Sequence, residues 1–239
     1  MQTANPENRD PKDVDKMFAR VAPSYDKINR AMCFGLDKRW RGVLARRAIE
    51  AANGGEILDL ACGSGDVALA MLKRNPRQKI VCADLCGEML SLARAKAAKD
   101  FPNANVSFEF ADAAALQFED GRFGACAIAF GFRNFQDRQK CLKEIARVLK
   151  PGGALLILEV ARAPKIFRWA QNIFMEKFVP RIAAKLGGER ADYEYLAKTT
   201  RAFPPKNQLN ALIESCGFKV EKTKSFAFGC VALTQAKKL

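Results

Sequence analysis

The run Ile57-Leu58-Asp59-Leu60-Ala61-Cys62-Gly63-Ser64-Gly65-Asp66 constrains this chain more than any other segment. A short apolar stretch with strand character ends in a glycine-rich turn, and a helical pattern from Val67 to Lys73 follows at once. Without a Cβ at 63 and 65 the backbone can bend sharply, and a ligand can lie directly against it. The next helix aims its N-terminal N–H groups and the positive end of its dipole at that ligand. Such a turn either holds a nucleotide-like molecule or uses glycine only to pack helix against strand.

The turn alone does not choose the ligand. Gly63-x-Gly65-x-x-Ala68 fits a dinucleotide fingerprint, with Asp84 at the spacing of a ribose-binding acid. Asp59 adds information, because it lies inside the strand before the glycines. An acid there can accept hydrogen bonds from the turn or from a cationic ligand group. S-adenosylmethionine carries an ammonium and a sulfonium and no pyrophosphate.

The 239 residues suffice for one large domain with a real core, and 49% of them are apolar. No apolar run reaches the ~18 residues of a membrane span. Met1–Lys16 is polar with no secretory h-region, which makes the cytoplasm the expected compartment. Eight cysteines without CxxC spacing read as small buried hydrophobes, and no metal site is expected. There is no histidine, so every mechanism needing a protein imidazole is excluded. The net charge of +14 favours a polyanion, and an anionic membrane face suits it. The basic residues are dispersed and no aromatic-interleaved motif accompanies them, so nucleic acid is not expected.

Residues 1–12 read as a frayed tail and 13–51 as helical with a break near Gly35. Strands are expected at 57–61, 79–83, 105–110, 125–130 and 154–160, and helices at 66–73, 87–99 and 137–150. Pro151-Gly152-Gly153 supplies the last stop signal. This alternation predicts an α/β fold: a doubly wound, mostly parallel sheet with helices on both faces. Ligands sit beyond the carboxyl ends of such strands. The loops after the first four carry Gly63/Ser64/Gly65, Asp84, Asp112/Ala113 and Gly131/Arg133/Asn134, so all four face one crevice. Residues 161–203 interrupt the pattern as an aromatic and basic insertion. A helix at 206–215 and two strands, 218–225 and 228–236, follow, with a tight turn near Gly229 that implies an antiparallel final pair.

The acids have alternative uses. Asp84 can take two ribose hydroxyls or cap the helix near Gly87. Asp112 can receive an adenine amine or cap its own turn. Three acids on three successive strands point to a ligand more firmly than any one alone. About fifty residues precede the first strand, and the sheet closes with an antiparallel strand. That order resembles the Rossmann-like class I S-adenosylmethionine-dependent methyltransferases, with a seven-stranded sheet whose last strand is antiparallel.

Further segments resemble one family, the ubiquinone/menaquinone biosynthesis C-methyltransferases. They are Tyr25-Asp26-Lys27-Ile28-Asn29 with Trp40 downstream, Phe130-Gly131-Phe132-Arg133-Asn134, and Arg147-Val148-Leu149-Lys150-Pro151-Gly152-Gly153 with Leu158-Glu159. Tyr193-x-Tyr195-Leu196 and Phe203-Pro204 complete the likeness, which covers residues 16–234. It implies methyl transfer from S-adenosylmethionine to a ring carbon of a polyprenylated quinol, in menaquinone or ubiquinone biosynthesis. By position it implies that Ser64, Asp84, Asp112 and Ala113 contact the cofactor, and that Asp59, Gly63 and Gly65 shape its methionine end. The chain departs from the family at Cys33, Asp37, Ala129, Ala161 and Thr234, where serine, histidine, serine, serine and histidine are usual. Those departures leave open a methyltransferase acting on another small molecule. The charge leaves open a basic binding protein without turnover.

For the chemistry, Arg133 is expected to stabilise a phenolate, with a salt bridge to Asp137 as its other use. Asn134 orients that phenolate. Tyr25 or Asp26 relays the proton, or Tyr25 closes over the cofactor. The whole chain, 1–239, reads as one domain, with 1–51 as a helical cap and 161–203 as a substrate lid. Phe167, Trp169, Phe174 and Phe178 of the lid are expected to line a groove for the prenyl tail, its basic flanks facing an anionic inner membrane surface.

Overall fold

A computed structural model describes residues 11–239; most of the expected tail lies outside the described residues. Helices α1 (Pro11–Met32) and α2 (Leu36–Ala52) come first, broken as expected at Gly35, whose φ of 74° is left-handed. Strand β1 (Ile57–Leu60), helix α3 (Asp66–Leu72), β2 (Ile80–Asp84), α4 (Gly87–Asp100), β3 (Val106–Phe110) and β4 (Phe123–Ala129) then alternate. A 3-10 turn (Phe132–Asn134) leads to α5 (Arg138–Val148) and β5 (Leu149–Val160). The insertion follows as α6 (Lys165–Ile173), a π-helical turn (Phe174–Phe178), α7 (Val179–Lys185) and α8 (Arg190–Ala202). Helix α9 (Lys206–Ser215), β6 (Phe218–Phe226) and β7 (Val231–Lys238) end the chain.

The seven strands lie in the order β3-β2-β1-β4-β5-β7-β6. β1 to β5 pair in parallel, and β7 runs antiparallel to both β5 and β6. The expected sheet is therefore the observed one. Strands β1 and β4 are buried along their whole length, which suits their unbroken apolar sequences. One face of the sheet packs against α5 and α9 through Leu142, Ile145, Leu209 and Ile213. The other packs against α2 and α3 through Trp40, Leu44, Ala48 and Met71.

The largest departure from the expected boundaries lies where α5 meets β5. Helix α5 stops at Val148, before Lys150, and the Pro-Gly-Gly segment lies within β5. Phe123 pairs with Leu149, but Ala125 pairs with Ala154, so the extra residues form a bulge at the strand's start. A single stop signal marks the end of the helix without saying that pairing resumes before it.

The direction of chain winding reverses between β1 and β4. Their adjacent carboxyl ends leave a crevice that no crossover helix covers. Helix α1 packs against α4 and α7, above that crevice.

Candidate active site

A cavity of about 350 Å³ occupies the crevice. Gly63 after β1, Asp84 ending β2, Asp112 and Ala113 after β3, and Gly131 and Asn134 after β4 all line it. The loops of four strands thus converge as the alternation predicted. Phe18 and Tyr25 enter from α1, and Met89 from α4.

The backbone is strained at its floor. Ala61 and Phe130, the residues just past β1 and β4, have φ of 53° and 60°, conformations that side chains other than glycine rarely take. A Cβ on Gly131 would lie 2.6 Å from the Cβ of Ala61, so only glycine lets the two strand ends meet there. Gly65 has a similar duty: a Cβ would lie 2.9 Å from the Cβ of Ala93 on α4. Gly65 therefore shapes the turn from behind and does not line the cavity.

Asp84 is held by backbone donors. Its Oδ2 accepts from Gly63 N at 2.7 Å and its Oδ1 from Cys86 N at 2.9 Å. The bond to Cys86, the residue before α4, is close to the expected capping use, and the bond to Gly63 ties the carboxylate to the glycine turn. Asp112 Oδ1 accepts from Ala114 N at 2.8 Å, which fixes its carboxylate at the cavity edge.

Asp59 lies under the cavity and is not part of its lining. It is fully buried, and one oxygen accepts from Ala68 N at 3.1 Å while the other has no partner. Burial pushes its carboxyl up to about 7; Arg41 and the Ala68 bond oppose that rise, and Asp84 and Asp66 add to it.

Two expected contacts fall elsewhere. Ser64 is buried and absent from the cavity wall; its hydroxyl donates to Asp26 at 2.6 Å. Asp26 also takes an ion pair from Lys96, whose ammonium bonds Asp66 at 3.0 Å as well. The group ties α1 to the glycine turn and to α4. Asp26 is committed to it and faces none of the cavities described here.

A second cavity of about 380 Å³ adjoins the first, and Tyr25 and Phe130 line both. It runs between α1, α2, the insertion and the β6–β7 turn. Most of its wall is apolar: Met32, Trp40, Phe174, Met175, Val179 and Phe228 are part of it. Its polar members include Asn29, Asp37, Arg41 and Arg133.

Arg133 does not pair with Asp137. Its Nη1 bonds Glu159 Oε1 at 2.8 Å and also donates to Phe130 O, while Asp137 caps α5 by accepting from Lys140 N. Arg133 Nε is buried without a partner. The phenol of Tyr25 is bonded by the Asn29 side chain, and burial raises it above 10, with Arg41 and Arg133 pulling it back. It stays protonated at neutral pH and can donate a hydrogen bond.

Of the four lid aromatics, only Phe174 lines the second cavity. Phe167 packs tilted against Phe228 at 5.4 Å, Phe178 stacks on Phe174, and Trp169 is 67% exposed. Helical spacing puts these residues near one another without saying that the stripe faces outward. Thr234 pairs with Thr223 inside the sheet, away from both cavities. The contributions of Phe18, Phe130 and Lys140 were not anticipated; the left-handed strand end that places Phe130 leaves no signature in sequence.

The charge of the first cavity decides what fits it. Asp84, Asp112 and Asp137 face it, with Lys140 as their one cationic counterpart among the described residues of the wall. A net negative site in a chain of charge +14 suits a cation and repels a pyrophosphate. Vicinal acceptors at Asp84, a bare turn at Gly63 and an acid beneath it with one unpartnered oxygen fit S-adenosylmethionine. The fold and this site define a class I S-adenosylmethionine-dependent methyltransferase.

The chain matches the ubiE/COQ5 methyltransferase family over residues 3–238, and it belongs to that family. A demethylmenaquinone methyltransferase of Thermus thermophilus is 41% identical over 218 residues, 91% of this chain and 97% of that one. A ubiquinone/menaquinone biosynthesis C-methyltransferase of Geotalea daltonii is 35% identical, covering 94% of this chain and 96% of its own. Among solved structures, a SAM-dependent methyltransferase from Aquifex aeolicus superposes with a TM-score of 0.64 at 17% identity, over 90% of this chain and 98% of that one. The [4+2]-cyclase SpnF does so with a TM-score of 0.68 at 18% identity, over 94% of each chain, a likeness of fold alone.

Proposed function

We propose that this enzyme methylates a ring carbon of a polyprenylated quinol in quinone biosynthesis, with demethylmenaquinol as the preferred acceptor. The observation that carries the reading is the junction of two cavities of opposite character at Tyr25 and Phe130. One is acidic and suits the cationic methyl donor. The other is apolar, opens to the surface, and suits a quinol ring with a hydrocarbon tail.

S-adenosylmethionine supplies an electrophilic methyl group when bound. Asp84 would hold its ribose, Asp112 and Ala113 its adenine end, and Gly63 with Asp59 its methionine end. Gly65 and Ser64 act indirectly, by shaping the turn and tying it to α1.

A hydroquinone carbon becomes nucleophilic when an adjacent hydroxyl loses its proton. Arg133 Nε, buried beside the apolar cavity, can donate to the resulting oxyanion, and Glu159 fixes the guanidinium for that task. Asn134 lies on the donor side of the same turn and orients the ring. Tyr25 donates a hydrogen bond across the junction. Asp26 positions α1 and is not a proton carrier, because Ser64 and Lys96 occupy it. Residues 161–203 and the N-terminal helices act as lid and cap, closing the ring site from two sides.

The exposed rim of the apolar cavity carries the proposal to the membrane. Phe34 and Phe228 are 77% and 79% exposed at its mouth, and Ile166 and Trp169 stand out from α6 beside them. Lys165, Arg168, Lys177 and Arg181 lie in the same segment. Among the described residues no helix is long and apolar enough to cross a membrane. Such a rim seats the enzyme peripherally on an anionic bilayer, where the quinol resides.

The test is direct. Purified enzyme with S-adenosylmethionine and demethylmenaquinol in anionic vesicles should yield menaquinol, detected by mass. A ubiquinone-pathway benzoquinol in parallel vesicles ranks the two acceptors. Binding of S-adenosylhomocysteine without methylation of either quinol would overturn the assignment.

A further inference from the structure

One end of the apolar cavity is charged. Asp37, in the first turn of α2, is 3% exposed and lines the cavity. Its Oδ1 has no hydrogen-bond partner. Its Oδ2 meets Arg41 Nε only at 4.0 Å, and that Nε is itself without a hydrogen-bond partner. Arg41 has a second contact: its guanidinium lies 5.1 Å from the centroid of Phe130, the ring shared by the two cavities. A buried carboxylate with an unpartnered oxygen, on a residue of the cavity wall, is poised to accept a proton donor bound in the cavity.

We propose that Asp37 accepts the proton of the quinol hydroxyl and is the general base of methyl transfer. The proposal rests on the quinol reading above. Among the described residues lining the cavity, it is the only one with an acceptor suited to the task. Tyr25 stays protonated, Arg41 and Arg133 are cations, and burial raises the thiols of Cys33, to about 11, and Cys230. The step balances. The O–H electron pair stays on the ring oxygen and the proton moves to the carboxylate. The ring carbon's electron pair forms the new bond to the methyl group as the methyl's bond to the donor sulfur breaks, that pair staying on sulfur, and the hydrogen on the ring carbon then leaves as a proton to water. Asp37 then returns its proton to the ring oxygen, so each turnover releases one proton.

The test uses the full chain with S-adenosylmethionine and a short-chain demethylmenaquinol. Asp37→Asn keeps the shape and removes the base. It should lower kcat on the order of 10²-fold, with affinity for S-adenosylhomocysteine unchanged. Asp37→His supplies a different base, and it should recover at least a tenth of the wild-type rate at pH 8. Because burial raises the Asp59 carboxyl to about 7, the readout is the ratio of Asp37→His to wild-type rate, in which a titration common to both cancels. That ratio should rise with pH around ~6.5, the imidazole value. A lost helix contact would not produce such a rise. If Asp37→Asn keeps a third of kcat, or the ratio is flat from pH 5.5 to 8, the proposal fails while the quinol assignment stands. If Asp37→Asn does not fold, the ratio alone decides. Wild-type enzyme that methylates no quinol would instead remove the assignment beneath it.

Discussion

Arg133 and Glu159 form a buried ion pair, Nη1 to Oε1 at 2.8 Å, that joins the turn after β4 to the end of β5. Glu159 Oε1 also accepts from Val160 N at 2.8 Å, and its Oε2 from Arg133 N at 3.1 Å. Three donor contacts to one carboxylate hold the guanidinium at the wall of the apolar cavity.

Glu159→Ala should therefore destabilise the protein by about 3–5 kcal/mol, because it leaves a buried guanidinium uncompensated. The double change Arg133→Met with Glu159→Leu should cost less than Glu159→Ala alone, since no charge remains inside. Both proteins should lose methyl transfer. Urea unfolding followed by circular dichroism measures the stabilities. A double variant less stable than Glu159→Ala would show that the pair is needed for folding itself.

The Ser64–Asp26–Lys96–Asp66 group yields a different prediction. It holds α1 against the glycine turn, so Asp26→Asn should loosen the roof of the acidic cavity. Losing about 1 kcal/mol of this interaction weakens S-adenosylhomocysteine binding about five-fold. The rate at saturating donor should change little, and its pH profile not at all. Titration calorimetry and steady-state rates separate the cases. A hundred-fold fall in kcat with unchanged affinity would return Asp26 to the proton path.

What the sequence made legible follows from range. The glycine turn and Asp84 sit where a strand ends and a helix begins, and Asp112 just past the end of β3, so local pattern placed all three at one crevice. Arg133 was visible as a functional candidate, but its partner was sought four residues away at Asp137 and found in β5 at Glu159. Ser64 and Asp26 were seen separately; their bond spans 38 residues and exists only once α1 folds back. The aromatic stripe of α6 was legible as a stripe, yet its direction depends on what α6 packs against, and α6 buries none of its residues. Asp37 was legible only as a departure from a resemblance. Its open oxygen is a property of the packed cavity.

Asp59 makes stability depend on pH in an unusual direction. Its carboxyl moves from the usual 3.8 to about 7 on folding. Between those values the folded chain holds more protons than the unfolded one, so this group's contribution falls as pH rises from about 4 to 7. The loss is on the order of 4 kcal/mol for a shift of about three units. Asp59→Asn carries no such penalty. Its stability relative to wild type should grow across that window and level off above it, as urea unfolding of the ligand-free proteins at pH 5 and pH 8 will show. A cationic donor favours the ionised carboxylate, so wild-type affinity for S-adenosylmethionine should rise through pH 7 and the Asn variant's should not. A constant stability difference across pH would mean that Asp59 is already ionised at pH 5.

The rim of the apolar cavity permits a test of membrane seating without touching the chemistry. Trp169 and Ile166 project from α6, and neither lines either cavity. Removing the two side chains deletes the apolar part of the attachment while the basic residues of 165–181 remain. Burying a large side chain contributes roughly 1.5–3 kcal/mol, so losing both should lower vesicle affinity at least ten-fold. Exchanging anionic for zwitterionic lipid should lower it separately, by about 1 kcal/mol for each basic residue near the surface. Turnover of a water-soluble short-chain quinol should be unaffected by Ile166→Ala with Trp169→Ala, whereas turnover of long-chain demethylmenaquinol in vesicles should fall. Sedimentation with the two kinds of vesicle measures the first pair of effects, and parallel assays the second. Equal loss on both substrates would place these side chains in the folding of the lid and not at a bilayer.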